Sequence, residues 1–259
     1  MIKILLNLFV SDVYASNAFT WIGKATHGLH LPGMNHENLS HLSTFLFVGI
    51  MIAVWAVLYR LKLAKVDNPV IPDRGFSLRN MTELYGEFIY GQCKQIIGEK
   101  YGPKYFHFIA SIFLLILISN LMGLIPGFLP PTESLNLTLA LGIFSFVFYN
   151  IIGMQETGVW NYIKHFMGPL WYLSILIFPI EIISHMVRPL SLALRLRSNL
   201  MGDHIILEQF SNLVPFGVPI IFMVLGILVA LVQAYVFSAL TMVYINMAVA
   251  SHDHGDEAH

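Results

Sequence analysis

The chain has 259 residues, 56% of them hydrophobic and only 11% charged, with a formal net charge of −1. A soluble domain carries about 25% charged residues, so this balance excludes an ordinary water-soluble fold and points to a multi-span helical membrane protein. The near-neutral charge offers no basic field for nucleic acid, and the single Cys93, read as a small packing residue, excludes an internal disulfide or a cysteine metal cluster.

Residues 1–42 are expected to lie outside the membrane, 43–250 to form one integral membrane domain, and 251–259 to be a mobile polar tail. A first span is predicted over 43–61, followed directly by Arg60, Lys62 and Lys65. Residues 66–76 carry Pro and Gly punctuation and read as a loop. Over 77–102 Leu78, Met81, Leu84, Tyr85, Phe88 and Ile89 recur at helical spacing, with Glu83, Glu87 and Lys94 mainly elsewhere. That pattern predicts an amphipathic helix lying at the interface. A second span covers 105–126, a Pro-rich turn covers 130–134, and a third span starts at Leu135 and ends near Gly153. Two long apolar stretches follow, 170–213 and 216–250.

Eight of the 14 Lys and Arg residues lie between Arg60 and Lys104, while the 126–134 turn has none. The positive-inside rule then places the basic stretch and Lys164 in the cytoplasm, the N-terminus outside and the C-terminus inside. The stretch 170–213, if one helix, is roughly 66 Å long at about 1.5 Å per residue, against a hydrocarbon core of about 30 Å. It must tilt strongly, kinked by Pro179 and Pro189, or break at Pro189 into a re-entrant hairpin. The expected fold is therefore an all-α membrane protein with about five membrane-embedded helices and one interfacial amphipathic helix, the last two long and strongly tilted. No Arg- and Ser-rich transit segment precedes the spans, which reads as a bacterial inner (plasma) membrane protein; a mitochondrial inner or thylakoid membrane is the alternative.

Arg195 lies deep in the fourth stretch, flanked by Leu194 and Leu196. A guanidinium does not neutralise at ordinary pH, and at mid-bilayer it costs roughly 2.5–3.5 kcal/mol on insertion scales. Such a charge is kept where it faces a partner, a wet cavity or an ion path. Glu181, Arg188 and Arg195 follow one another at seven-residue steps and share a helical face. His185 is four residues after Glu181, Asn199 four after Arg195, and Gly202 and Asp203 extend the line. The stripe reads as an ion path with carboxylate and imidazole relays around a fixed cation. Arg197 points to roughly the opposite face and reads as a structural pair or a lipid-headgroup contact. His252, His254 and His259 in the tail read as solvated residues rather than a metal site.

The blocks Ser119-Asn120-Leu-Met-Gly-Leu-Ile-Pro126, Pro131-Thr-Glu-Ser-Leu-Asn136, Arg188-Pro-Leu-Ser-Leu-Ala-Leu-Arg195-Leu-Arg-Ser-Asn199, Gln233-Ala-Tyr-Val-Phe237 and Leu240-Thr-Met-Val-Tyr244 together resemble subunit a of the F-type ATP synthase. The resemblance implies that Arg195 is the essential gate facing a ring of c subunits, separating two aqueous half-channels. It implies that Glu181 and Ser184, with His185 nearby, line the cytoplasmic half-channel. Asn120, Asn199, Asp203, His204 and Gln233 belong with the outer one, and Arg188 and Tyr244 support the site. By the same resemblance the chain has no cofactor and no nucleotide chemistry of its own, and its partners are the c ring, b-type peripheral-stalk subunits, the remaining synthase subunits and lipid. Where relatives pair a channel His or Glu with a complementary residue on the last helix, this chain has His204 but Gly226, which cannot relay a proton; Asp203 is the candidate substitute. Arg197 and Ser198 also depart from the Phe and Gly often found there. A stand-alone multi-span transporter or channel is the rival reading, but no internal repeat of the kind such folds carry is present.

Overall fold

A computed structural model describes residues 36–64, 77–125, 128, 130–159, 171–213 and 217–250, and among these every regular element is helical. The helices are α1 (His36–Leu63), α2 (Leu78–Ile97), α3 (Gly102–Met122), α4 (Leu135–Thr157), α5 (Trp171–Leu213) and α6 (Val218–Ala250), with a 3₁₀ turn at Pro131–Glu133 between α3 and α4. Four stretches are long and apolar enough to cross a bilayer: Leu39–Leu63, Gly102–Met122, Leu135–Glu156 and Ile220–Val249. The fifth expected membrane element, α5, is longer still at 43 residues, but Arg188, Arg195, Arg197 and Asp203 dilute its apolarity. The chain is an all-α membrane protein. The N-terminal segment before His36 and the histidine-bearing tail lie outside the described residues.

Helix α6 is the hub and packs against α2, α3, α4 and α5. Lipid is as apolar as a leucine side chain, so close packing rather than apolar transfer joins these helices. The inward side of α6 suits that need: Ala230, Ala234, Ser238 and Thr241 are small and buried beside Phe237 and Ile245. Ser238 and Thr241 donate their hydroxyls to the carbonyls of Ala234 and Phe237, at 2.8 and 2.9 Å, so neither is left unsatisfied.

The amphipathic α2 is capped by Ser77, whose hydroxyl accepts from the Arg79 backbone N–H. Its apolar residues divide between two sides. Ile89, Cys93 and Ile97, at four-residue steps, are buried against the bundle, whereas Met81, Leu84 and Phe88 stay exposed. The single apolar face expected from spacing is thus wider, because this helix touches both protein and apolar surroundings. Polar contacts fix it to three spans. Trp55 on α1 donates to Thr82 (3.0 Å), Tyr85 donates to the Ala110 carbonyl of α3 (2.5 Å), and Tyr235 on α6 donates to Gln92 (2.9 Å). Cys93 has no exposure and sits 3.7 Å from the Met242 sulfur; burial pushes its thiol up to about 11, consistent with a packing role.

Helix α5 runs unbroken through Pro179 and Pro189, so the hairpin alternative does not occur. Its crossing with α4 is close at one point. A Cβ on Gly142 of α4 would stand 2.7 Å from the Pro189 carbonyl oxygen of α5, so only glycine fits there.

Candidate functional site

Successive residues on α5 turn by about 100°, and Arg195 and Arg197 accordingly part company. Arg195 is exposed, while Arg197 is buried at 4%. Between them Leu196 is fully buried, as are Ala193 and, nearly so, Leu192. Ser191, Ser198 and Asn199 share the exposed side with Arg195. Beyond them a cleft of about 460 Å³ opens between α5 and α6, lined among others by Asn199, Asp203 and Gln233. The Asn199 amide donates to Gln233 Oε1 at 2.7 Å, tying the two helices together at the cleft.

The other residues assigned to the outer half-channel gather behind this cleft, around the 3₁₀ turn. Asn120 is buried at the end of α3 and its Oδ1 accepts from Thr132 at 2.7 Å. The Asn120 amide nitrogen and the neighbouring Ser119 hydroxyl are buried with no hydrogen-bond partner among the described residues, the condition a bound water relieves. His204 reaches the same turn. Its Nδ1 lies 3.4 Å from Glu133 Oε2, and its Nε2 lies 3.1 Å from the Gly123 carbonyl. Both ring nitrogens therefore face acceptors, which a doubly protonated ring satisfies. A Cβ on Gly123 would meet Pro130 at 2.8 Å and His204 Nε2 at 3.1 Å, so the glycine lets turn and imidazole close up.

Glu133 is the residue that sequence reasoning missed. Its carboxyl is largely covered, and burial raises its pKa; the hydrogen bond and charge of His204, with His41 and Arg197, outweigh that and hold it below the usual carboxylate range. His41 of α1 contacts the Pro130 carbonyl at 3.2 Å. The expected relay position on α6, Gly226, is buried, and a Cβ there would meet a methyl of Leu124 at 2.7 Å. The acid beside His204 thus comes from the turn, not from α6.

At the cytoplasmic set the Glu181 side chain lies outside the described residues. Ser184 is exposed, and His185 is half-buried beside the rings of Phe146 and Tyr149, with centroids 6.2 and 5.9 Å away. Arg188 stands over the Tyr244 ring at 5.3 Å, a cation–π contact, and Tyr244 also packs on Tyr149 at 5.6 Å. Here aromatic rings flank one imidazole and one guanidinium. Among the described residues no three His, Cys, Asp or Glu side chains gather closely enough to hold a metal ion.

The family model described as ATP synthase A chain matches residues 41–246. The chain belongs to that family. Curated relatives agree along nearly their whole length. ATP synthase subunit a of Bdellovibrio bacteriovorus is 46% identical over 224 residues, covering 86% of this chain and 96% of its own. ATP synthase subunit a 2 of Syntrophotalea carbinolica is 43% identical over 227 residues, covering 88% and 93%. ATP synthase subunit a of a Nitratiruptor species is 39% identical over 216 residues, covering 83% and 94%. Membership makes the chain the proton-translocating membrane stator subunit of an F-type ATP synthase.

Proposed function

We propose that this subunit a passes ions through two offset half-channels that meet at Arg195, and that a ring of c subunits carries them from one to the other. The single observation that carries the reading is the exposure of Arg195 on a face where its only polar company is uncharged, Ser191, Ser198 and Asn199. Leu190 and Ile206 on α5 and Leu228 and Val232 on α6 are exposed as well, so the exposed Arg195 stands on the outer surface of a helix bundle built for lipid. A permanent cation there needs a complementary charge from another chain. Opposite charges about 4 Å apart attract by about 4 kcal/mol at an effective dielectric of 20, close to three pKa units for a carboxylate. A ring carboxylate arriving at Arg195 loses its proton; one moving away regains it. Arg195 acts as an electrostatic gate rather than an acid or base, and its charge blocks direct leakage between the two sides.

The cleft with Asn199, Asp203 and Gln233, with Asn120 and His204 behind it, serves as the outer half-channel. Glu181, Ser184 and His185 serve the cytoplasmic one, with Arg188 and Tyr244 fixing the helices between. ATP chemistry belongs to other subunits, b-type stalk subunits hold this chain still, and a bacterial plasma membrane is its setting. In vesicles carrying the whole complex, Arg195→Ala is expected to abolish ATP-driven proton pumping while the complex still assembles, because removing an exposed side chain leaves no cavity. Normal pumping by that variant would refute the gate.

A further inference from the structure

We propose that Glu133 is the acid half of a His204–Glu133 proton pair that feeds the outer half-channel; this deepens the ion-path reading above and rests on it. The two side chains come from elements far apart in the chain and meet where His204 Nδ1 stands 3.4 Å from Glu133 Oε2. That separation is at the long end for a direct hydrogen bond, and proton-transfer contacts commonly tighten only in the loaded state. The pair is partly open, with 28% of the His204 and 22% of the Glu133 side chain exposed, so water reaches it without swamping it.

The surroundings decide how many protons the pair holds. The turn bearing Glu133 packs against α1, α3, α4 and α5. Helix α1 presents His41, α5 presents His204, the buried Arg197 and the neighbouring Asp203, and α3 offers only uncharged groups, Asn120 and the Gly123 carbonyl; α4 adds no ionisable side chain in its first turns. The Gly123 carbonyl retains the proton on Nε2, which confines exchange to Nδ1. In the resting pair Nδ1–H faces a carboxylate, and the pair is neutral overall. Transfer of that proton from Nδ1 to Oε2 gives a neutral imidazole and a carboxylic acid, with no change in total charge. The acid then releases its proton to water, leaving a neutral ring and a carboxylate. The fixed charge of Arg197 offsets this single negative charge, whereas a second proton on the pair would set two positive charges, the imidazolium and Arg197, beside each other with only Asp203 as a neighbouring acid. The site therefore cycles between one mobile proton and none. Gly226, crowded by Leu124, has no part in this exchange.

The test uses vesicles carrying the whole complex with Glu133→Gln, Glu133→Asp or Arg195→Ala. Proton pumping and passive proton flux are measured against pH, each normalised to the amount of assembled complex. Glu133→Gln is expected to lower both rates roughly tenfold or more, as loss of a positioned acid–base group does. Glu133→Asp is expected to restore most of the rate with a displaced pH profile. Wild-type rates per assembled complex in Glu133→Gln, or reduced assembly with unchanged flux per complex, overturn the proposal. If Glu133→Gln does not assemble, Glu133→Asp decides: a displaced profile supports the pair, an unmoved profile overturns it. Normal pumping by Arg195→Ala sinks the gate itself. An inactive Arg195→Ala beside a fully active Glu133→Gln sinks only the pair.

Discussion

Arg195 and Arg197 differ by two positions and by everything else: one guanidinium lies on the outer face of α5, the other is enclosed with an acid pair. The pair carries a pH signature. The Glu133 carboxyl is held below its ordinary range by His204, His41 and Arg197 against the effect of burial. A depressed carboxyl contributes stability that is fully present above its unfolded pKa and is lost as pH falls through the folded one. Melting of the purified complex should therefore show Glu133→Gln less stable than wild type by about 1–3 kcal/mol at neutral pH, with the gap closing at pH values below the ordinary carboxylate range. A gap independent of pH would show that the carboxyl is not ionised in the folded protein. Arg195 stands out from the chain alone as a candidate, because a permanent charge amid leucines is costly wherever it lies. Glu133 could not, because an acid in a polar turn is ordinary until a distant helix sets an imidazole and a guanidinium beside it.

Among the elements, apolar runs located the membrane helices and helical spacing located α2, and their ends moved for local reasons. Helix α1 begins at His36, before the apolar run, and α3 stops at Met122, short of Pro126. The unbroken course of α5 was the open question. Proline removes one donor and frees one carbonyl a turn earlier, a loss that helices among packed neighbours accommodate. The neighbour at Pro189 is the bare backbone of Gly142, a contact that proline and glycine each signal separately but whose pairing only the fold reveals. Gly142→Ala should push α4 off α5 and cost about 1–3 kcal/mol, the range for overpacking. Gly49→Ala, inside α1 where an added Cβ meets nothing within 4 Å, should hold or slightly raise the melting temperature, because alanine favours a helix interior over glycine. Equal melting temperatures for the two variants would show that the α4–α5 crossing is not tight.

For the whole molecule, one side of α6 is enclosed and the other is open. Ile220, Ile221, Val224, Leu228 and Leu231 are exposed along it, as are Ile183, Met186 and Val187 on α5. The open side next to Arg195 is where the ring is expected to turn. Cysteines replacing Ile206 and Leu228 should cross-link to a c subunit in the assembled complex, and one replacing Val54 on the exposed side of α1 should not. Cross-links from Val54 alone would move the ring to another face. Hydropathy marks four of the five expected membrane helices, but it would treat a lipid-facing leucine and a rotor-facing one alike; only polar residues interrupting a surface could distinguish them.

The three hydrogen bonds that fix α2 have a mechanical consequence. On the function proposed above, a rotor moving past α5 and α6 would exert a sideways drag, and α6 lies directly against α2. Because α2 is bolted to α1, α3 and α6 through Trp55, Ala110 and Tyr235, the recoil spreads across three spans at once. Four helices, α1, α2, α3 and α6, would then resist torque as one braced frame.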